Sequence, residues 1–485
     1  MIGKRSATQY GFMNPPPPES KSRTDRLLRR INELIDFEPV RVMVAPHFAE
    51  TGRPSIDPVL MIKMMIAGYL LAIPSDRQLV EECADRISVR RFLGLGLTDP
   101  VPAHSSFTHW RQRLGTAFFR SLLHEVVGQC QSHGMMLSGD RTVDATAVKA
   151  QADRNGPVVE VPEGWDVDEY LRQLAAGDPP PDDEPPDPPD DAPPPGARGK
   201  TTPVNLHDPD ARLSRKPNEI AQYRFFASFC ADAHNGLITD AIAFAREKAT
   251  TAVEHVIHDI GPVRRLVADG LYDDGGALAQ LYWLGVEAFV PKTKRPDGQL
   301  SRDEFAYDPE LDVFICPEGK KLRYYRYNKA TGQSRYISRK SDCDGCPIKA
   351  QCTTSTRRTV SRQDNEWARE LTVRAGPAYE LLQRCRRINE HLNLLAKRDH
   401  CMARARGLGL DAMCIQATMT GLTINLRKLV QFDDDRQGIG GLMRAVLALL
   451  IAQIALWRRQ MASAAARYWR RSNVANQFAA ALAAA

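Results

Sequence analysis

The sequence has no apolar stretch long enough to cross a bilayer. Its longest, Ala445–Trp457, is interrupted by Gln453 and falls short of the roughly 20 residues that a spanning helix needs, so it reads as a buried helix. An export signal is equally missing, because Lys4 and Arg5 lead into the run Pro15–Pro18 rather than into an apolar segment with a small-residue cleavage site. Without such a signal the 10 cysteines are expected as thiols in the cytoplasm, and any cluster among them points to metal or packing rather than to disulfides. No repeat recurs at a fixed period.

What the chain does have is length and uneven charge. Its 485 residues suffice for two or three domains, each with its own core. The net charge is +6, but residues 160–195 carry twelve acidic groups against one basic, Arg172; setting aside that −11 leaves +17 on the remainder. A basic balance of that size suits a polyanionic partner such as DNA, although charge alone also serves solubility.

From Thr24 to about Gln131 the pattern is helical. Asp57-Pro58 begins a strongly apolar helix through Leu60, Met61, Met64, Met65 and Tyr69, with aspartate as cap and proline in the first turn. Ser75 opens a second helix, with Leu79, Val80 and Cys83. Ser105 is expected to cap a third, with Phe107, Trp110, Arg111, Arg113 and Leu114. Three short helices ending in a basic one have the form of a helix-turn-helix unit, a form that plain helical packing shares.

After Gly134 the period changes. Met135–Val148 reads as a strand, and Tyr223–Cys230 and Leu237–Phe244 read as a hairpin around His234-Asn235-Gly236. Arg264–Ala268 and Val286–Val290 are two further strands separated by a helix near Gly276–Trp283. Ten prolines lie between Pro179 and Pro195 among Asp and Glu, a composition that cannot form a core and implies a disordered insertion. A second insertion, from Thr293 to about Asn365, carries Cys316, Cys343, Cys346 and Cys352 with many Tyr and Arg residues. Beyond it come a long helix from about Ala378, another ending near Leu429, and an Ala/Arg-rich tail.

Three acids stand out. Asp144 sits mid-strand in Thr142-Val143-Asp144-Ala145-Thr146, where aspartate is disfavoured unless it ends the strand or enters a turn. Asp269 follows Leu266-Val267-Ala268 at a strand's carboxyl end, where open α/β sheets present their ligands, although Asp-Gly is also a common turn pair. On the long helix, Leu381, Cys385, Ile388, Leu392 and Leu395 form an apolar stripe, with Gln383, Arg386, Glu390 and Lys397 opposite. That polar row is either functional or simply solvated.

Strand-Asp, hairpin, strand-Asp and helix-Glu in that order resemble the DDE transposases of bacterial insertion sequences. Val143-Asp144-Ala145-Thr146 is similar to that family's first acid segment and Ala268-Asp269-Gly270-Leu271-Tyr272 to its second. Arg386, Glu390 and Lys397 match its Arg-x3-Glu-x6-Lys spacing, with Gln383 where the family usually has tyrosine. Arg406-Gly407 and Asn425-Leu426-Arg427-Lys428-Leu429 resemble its closing segment, and His104-Ser105-Ser106-Phe107 its N-terminal domain.

The resemblance implies a multidomain α/β protein. Its parts would be a flexible arm (1–25), an all-α DNA-binding domain (26–131), a ribonuclease H-like catalytic domain (132–430) and a helical tail (431–485). The catalytic domain, a mixed sheet flanked by helices, would be interrupted by the acidic disordered insertion (160–204) and the four-cysteine insertion (293–365). It further implies Asp144, Asp269 and Glu390 as ligands of Mg²⁺ or Mn²⁺, two ions together. Arg386 and Lys397 would contact phosphate or orient Glu390. Double-stranded DNA would be the partner of a homodimer or higher oligomer at the bacterial nucleoid.

The activity expected is cleavage at terminal inverted repeats and transfer of 3′-hydroxyl ends into target DNA. The alternatives are a catalytically inactive, transposase-derived DNA-binding protein and a structure-selective metal-dependent nuclease. No serine or tyrosine nucleophile is surrounded by partners that would suggest a covalent recombinase. The four cysteines are expected either to hold a tetrahedral zinc or to remain free thiols in a small β-rich subdomain. Cysteines occur at similar places in the resembling family, which favours a structural role.

Overall fold

Local capping chemistry organises the first third of the chain. In the computed structural model, α1 (Arg23–Leu34) begins where the Ser22 hydroxyl accepts from the Asp25 amide, and α2 spans Pro39–Val44. The Asp57 carboxylate accepts from Val59 and Leu60 to start α3 (Pro58–Leu70), and Ser75 starts α4 (Asp76–Asp85). α5 (Ile87–Leu93) stops at Gly94, whose φ of 68° is the left-handed cap that glycine adopts without cost. Ser105 is not a cap: α6 (Ser105–Ser132) starts at His104 with no side-chain cap and continues for 28 residues, broken at Gly115 (φ 69°, ψ 173°). α3 is buried on nearly every side, as a helix apolar all round must be.

The structure describes residues 2–4, 22–153, 155–162, 167–176, 201–215, 219–246, 250–292, 300–328, 332–438 and 453. Within the expected arm, Gly3 is buried and its amide donates to the Ser55 hydroxyl at 3.2 Å. Most of residues 5–21, most of the expected tail and the apolar run 445–457 lie outside the described residues. No described helix is long and apolar enough to cross a membrane.

The strand after Gly134 starts later than its sequence pattern, because Gly139 takes φ 86° and delays β1 to Asp140–Lys149. Next come β2 (Val158–Pro162), α7 (Val167–Ala176), β3 (Thr201–Asn205) and β4 (Arg212–Ser214). The insertion 160–204 is therefore ordered at both ends. β2 pairs antiparallel with β3, and alternation buries Val161 and Val204 on one side; residues 177–200 are outside the described set.

β5 (Gln222–Asp232) and β6 (Ile238–Phe244) form the hairpin, followed by α8 (Thr251–His258) and β7 (Arg265–Val267). The Asp232 carboxylate accepts from the His234 and Asn235 amides, and Gly236 takes φ 68°. α9 (Gly275–Trp283) leads to β8 (Glu287–Phe289). The main sheet runs β6-β5-β1-β7-β8, with β4 also on β5. β1 is antiparallel to β5 and parallel to β7, and β7 is parallel to β8.

The four-cysteine insertion forms a separate five-stranded antiparallel sheet. Its strands are β9 (Ala306–Asp308), β10 (Val313–Ile315), β11 (Lys321–Asn328), β12 (Gln333–Ile337) and β13 (Thr359–Gln363). Two short helices, α10 (Lys340–Cys343) and α11 (Lys349–Cys352), precede β13. Then α12 (Glu366–Leu371) and α13 (Pro377–Asp399) return to the main sheet, where α13 packs across β1, β7 and β8. A further helix begins at 409.

The N-terminal helices and the sheet belong to one compact unit, Met1–Arg427; the second unit starts at Lys428, and of it residues 428–438 are described as helical. Polar side chains hold the first unit together. Carbonyls at the end of α3 accept from Arg406 (Gly68, 3.2 Å), Arg427 (Leu70, 2.6 Å) and Cys401 (Ala72, 2.9 Å), and His400 Nδ1 bonds to Tyr69 at 3.0 Å. Two cations at a helix C-terminus also complement its dipole. Asn425 reads both backbone groups of Ile238, at 2.9 and 2.7 Å, and a Cβ on Gly421 would come within 3.1 Å of Ile238.

Candidate active site

The site grows from the parallel register of β1 and β7. Thr142 is level with Val267, so Asp144 and Asp269, each two residues further on, are level with each other and share a sheet face. The main chain of β1 is firmly held. Arg141 is wholly buried between Asp259 (2.9 Å) and Asp232 (3.4 Å), and the Ser228 hydroxyl donates to the Asp144 carbonyl at 3.2 Å. Asp269 ends the strand by turning back: its carboxylate accepts from Leu271 N at 2.9 Å.

α13 supplies the third side. Its core contact differs from the expected stripe: Leu381 is 59% exposed, while Leu382, Asn389, Leu392 and Ala396 face inward. The reason is that the helix crosses a sheet with polar demands of its own. Leu382 packs with Val267 and Phe289. Gln383, in the place of the family's tyrosine, donates to the Phe289 carbonyl at 2.8 Å. Asn389 reaches Thr142 Oγ1 and the Phe229 carbonyl, both at 3.4 Å. Arg386, Glu390, Asn393 and Lys397, spaced i, i+4, i+7 and i+11, then fall on the flank beside Asp144. Asn393 donates to Asp144 Oδ2 at 2.9 Å.

Charge reports the same convergence. Burial, then the negative charges of Asp269 and Glu390, push the Asp144 carboxyl up to about 6, against the Ala145 amide and Arg386, which favour its ionised form. Asp144, Asp269, Glu390 and Arg386 are thus brought within electrostatic reach of one another. Asp144, Asp269, Arg386 and Lys397 are half-buried and Glu390 is exposed. Among the described residues, no three His, Cys, Asp or Glu side chains already stand at metal-holding geometry.

Asn389 and Asn393 were not apparent in the sequence, where an asparagine on a polar helix flank carries no mark. A buried Ser–His–Asp series was equally invisible. Ser228 contacts His255 Nε2 at 2.9 Å, and His255 Nδ1 contacts Asp240 at 2.7 Å. All three are wholly buried, so the Ser228 hydroxyl braces Asp144 and has no route to a substrate.

Two arginines of α6 are engaged internally. Arg111 forms a bidentate pair with Asp76 at 2.6 and 2.8 Å, and Arg113 lies over the Phe48 ring.

In the insertion, the Cys352 thiol is pushed up by burial and, among its neighbours, by Cys343, Cys316 and Cys346, while Arg358 opposes. Cys316, Cys343 and Cys346 are therefore each within electrostatic reach of Cys352. The Lys320 amide donates to Cys316 Sγ at 3.3 Å and Ser338 Oγ contacts Cys343 Sγ at 3.1 Å. The core they adjoin holds few buried side chains: Phe305, Phe314, Leu322, Tyr336, Cys352 and Val360.

Two family models match the chain. One is described as a transposase domain (DUF772), over residues 17–113, and the other as a transposase DDE domain, over residues 315–430. The second includes Arg386, Glu390, Lys397 and the four cysteines; Asp144 and Asp269 lie outside both. No curated protein matches the chain. Among solved structures, a piggyBac transposase synaptic complex with hairpin DNA, determined by cryo-electron microscopy, is similar at 12% identity and TM-score 0.32. The alignment covers 86% of this chain and 75% of that one. The two matched segments support a DDE-type DNA transposase of the insertion-sequence kind, a polynucleotidyl transferase.

Proposed function

We propose that Asp144, Asp269 and Glu390 are the DDE acids of this transposase and that they serve cleavage at terminal inverted repeats and transfer of the freed 3′-hydroxyl ends into target DNA. The observation that carries this reading is the level register of Asp144 and Asp269 beneath α13, with Glu390 and Arg386 both acting on the Asp144 charge. The strand order β6-β5-β1-β7-β8, three antiparallel strands followed by two parallel ones, supports a ribonuclease H-like catalytic domain. The helices before it would serve as the DNA-binding domain.

The donor set suits divalent cations, which DDE transposase domains generally use. Three carboxylates give hard oxygen ligands, and burial, followed by the negative charges of Asp269 and Glu390, raises the Asp144 pKa while Arg386 opposes. Two Mg²⁺ or Mn²⁺ ions held there would supply an activated oxygen nucleophile and a stabilised leaving oxygen. The chain's own part is positioning. Asn393 fixes the Asp144 carboxylate, Ser228 fixes its backbone, and Arg386 and Lys397 offer cations to DNA phosphates on the same flank. Joining two element ends calls for a homodimer or higher oligomer on DNA, at the nucleoid.

Cys316, Cys343, Cys346 and Cys352 would hold a structural zinc. Four neighbouring thiols, one accepting a backbone N–H bond, suit it chemically, and a small sheet with little core gains stability from such a staple.

The test uses Asp144→Asn, Asp269→Asn and Glu390→Gln, with end binding measured in Ca²⁺ and cleavage in Mg²⁺ or Mn²⁺. Each should lose on the order of a hundredfold or more in cleavage rate while binding falls little, because affinity rests on Lys and Arg. A variant that cuts near the wild-type rate removes its residue from the site, and three such variants end the reading. End joining to a second DNA distinguishes a transposase from a nuclease.

A further inference from the structure

The outer face of the insertion sheet is basic in a way that its own packing does not explain. β11, β12 and β13 together contain no Asp or Glu. One face of the sheet packs on the small core through Leu322, Tyr336 and Val360. The other, by strand alternation, carries Arg323 opposite Ile337 and Arg326 opposite Arg335, with Ser361 beyond Arg335 on β13. Continuing the β12–β13 register past Ile337 and Thr359 sets Arg339 opposite Arg357, and the pairing does continue, since the Ser338 amide donates to the Arg358 carbonyl at 3.0 Å.

Arg323, Arg326 and Arg335 thus share one face, with Arg326 and Arg335 directly opposite each other, and Arg339 and Arg357 follow at its end. Like charges across a strand pair destabilise a sheet, and none of the five has an ion pair among the described residues. A second feature coincides with them. The ladder shifts between Tyr324 and Arg326, which leaves Tyr325 out of the pairing and 59% exposed. The Arg326 guanidinium lies over its ring at 5.7 Å.

We propose that this face is a DNA-binding platform. The arginines would hold the sugar-phosphate backbone, and Tyr325 would stack on an unpaired base next to the strand being processed. The inference rests on the transposase reading and adds where on this chain such a strand lies. Arginines in a row match phosphates, and an exposed aromatic ring among them matches a base face, the combination by which single-stranded nucleic acid is bound without sequence preference.

The platform is also fixed relative to the acids. Gln363, at the end of β13, bonds to the Gly275 amide and to Asp274 Oδ2 (2.6 Å), in the segment that follows the Asp269 turn. Arg369, in α12, and Arg374, just after it, clamp Asp273. Arg335 to Arg339 spans about 13 Å of strand, long enough to meet more than one phosphate.

The experiment compares full-length protein with the double variant Arg326→Gln/Arg335→Gln and with Tyr325→Ala. The probes are a blunt duplex and the same duplex carrying an oligo(dT) 3′ overhang, titrated by anisotropy across salt. The double variant should bind both more weakly and lose about two from its salt slope. Tyr325→Ala should lose affinity for the overhang probe and keep it for the blunt one. Because the glutamines stay polar and relieve like-charge opposition, the thermal midpoint should hold or rise. A second pair, Arg339→Gln/Arg357→Gln, repeats the measurement at the other end of the face. Wild-type affinity and slope in both pairs would overturn the proposal. That result would leave the acids untouched, whereas retained cleavage by all three of Asp144→Asn, Asp269→Asn and Glu390→Gln would end the catalytic reading and leave this platform standing.

Discussion

His400 gives a quantitative test of how the helical and sheet parts of the first unit are joined. Its ring is 1% exposed and bonds through Nδ1 to the Tyr69 carbonyl at 3.0 Å, at the end of α3. Burial, together with the nearby Arg427 and Arg406, lowers its pKa from 6.5 to about 4, while the Tyr69 bond and Asp399 act in the opposite sense. In the unfolded chain the imidazole takes a proton below about 6.5; in the folded one it resists until about 4. The unfolded state therefore binds more protons in that window, so stability is complete above it and falls as pH drops from 6.5 toward 4.

At about 1.4 kcal/mol per pH unit, the full interval is worth about 3 kcal/mol, a large share of the 5–15 kcal/mol typical of folded proteins. His400→Gln keeps a donor for Tyr69 and cannot titrate. Thermal unfolding of wild type and variant between pH 7.5 and about 4.5 should show the wild type losing several degrees more than the variant over that range. The comparison is between slopes, so a uniform destabilisation of the variant does not affect it. Equal losses in the two proteins would refute the argument that this histidine is buried neutral.

Three further outcomes follow from particular contacts. Asn393→Ala removes a donor held 2.9 Å from Asp144 and should slow cleavage by about 10- to 100-fold, as loss of a ligand's supporting partner does, with DNA binding unchanged; an unaltered rate would make Asn393 a bystander. Replacing 177–200 by a Gly/Ser linker should leave the protein folded, because Val161 and Val204 already close the β2–β3 hairpin. The same change should raise DNA affinity at low salt by removing seven carboxylates. Insoluble protein would refute the first statement and unchanged affinity the second. Metal analysis without chelator should give about one zinc per chain, falling in Cys343→Ser and Cys346→Ser; a zinc-free, well-folded wild type would leave the four thiols without a metal role.

How much of this was legible in the sequence depended on whether the governing interaction was local. Asp57-Pro58 and Ser75 start their helices because a side-chain oxygen finds amides two or three residues on. The hairpin around His234-Asn235-Gly236 is set by Asp232 and by one glycine of positive φ. Misreadings arose where a distant partner decides. The stripe through Leu381 assumed that the apolar side of α13 is its buried side, yet the helix turns Asn389 inward to meet Thr142 and Phe229. Ser105 has the right chemistry for a cap and makes none. The ends of the 160–204 insertion became strands because two separated valine-bearing segments found each other, a pairing that composition does not reveal.

The closing segment is the clearest case of a motif visible in sequence whose work is not. Arg406-Gly407 and the Asn425–Arg427 stretch could be read as additional active-site cations, but their contacts lie elsewhere. Arg406 and Arg427 donate to Gly68 and Leu70, and Asn425 to Ile238. A buried carbonyl left without a donor costs about 1–3 kcal/mol, and α3 ends with several of them inside the protein. Satisfying them from residues that immediately follow α13 has a geometric consequence. α13 ends at Asp399, and the next residue, His400, already bonds to Tyr69. The helix that carries Glu390 is therefore tied at its C-terminal end to the end of α3. A shift of α3 relative to the sheet must either break those bonds or move α13, and with it the placement of Glu390 and Lys397 beside Asp144.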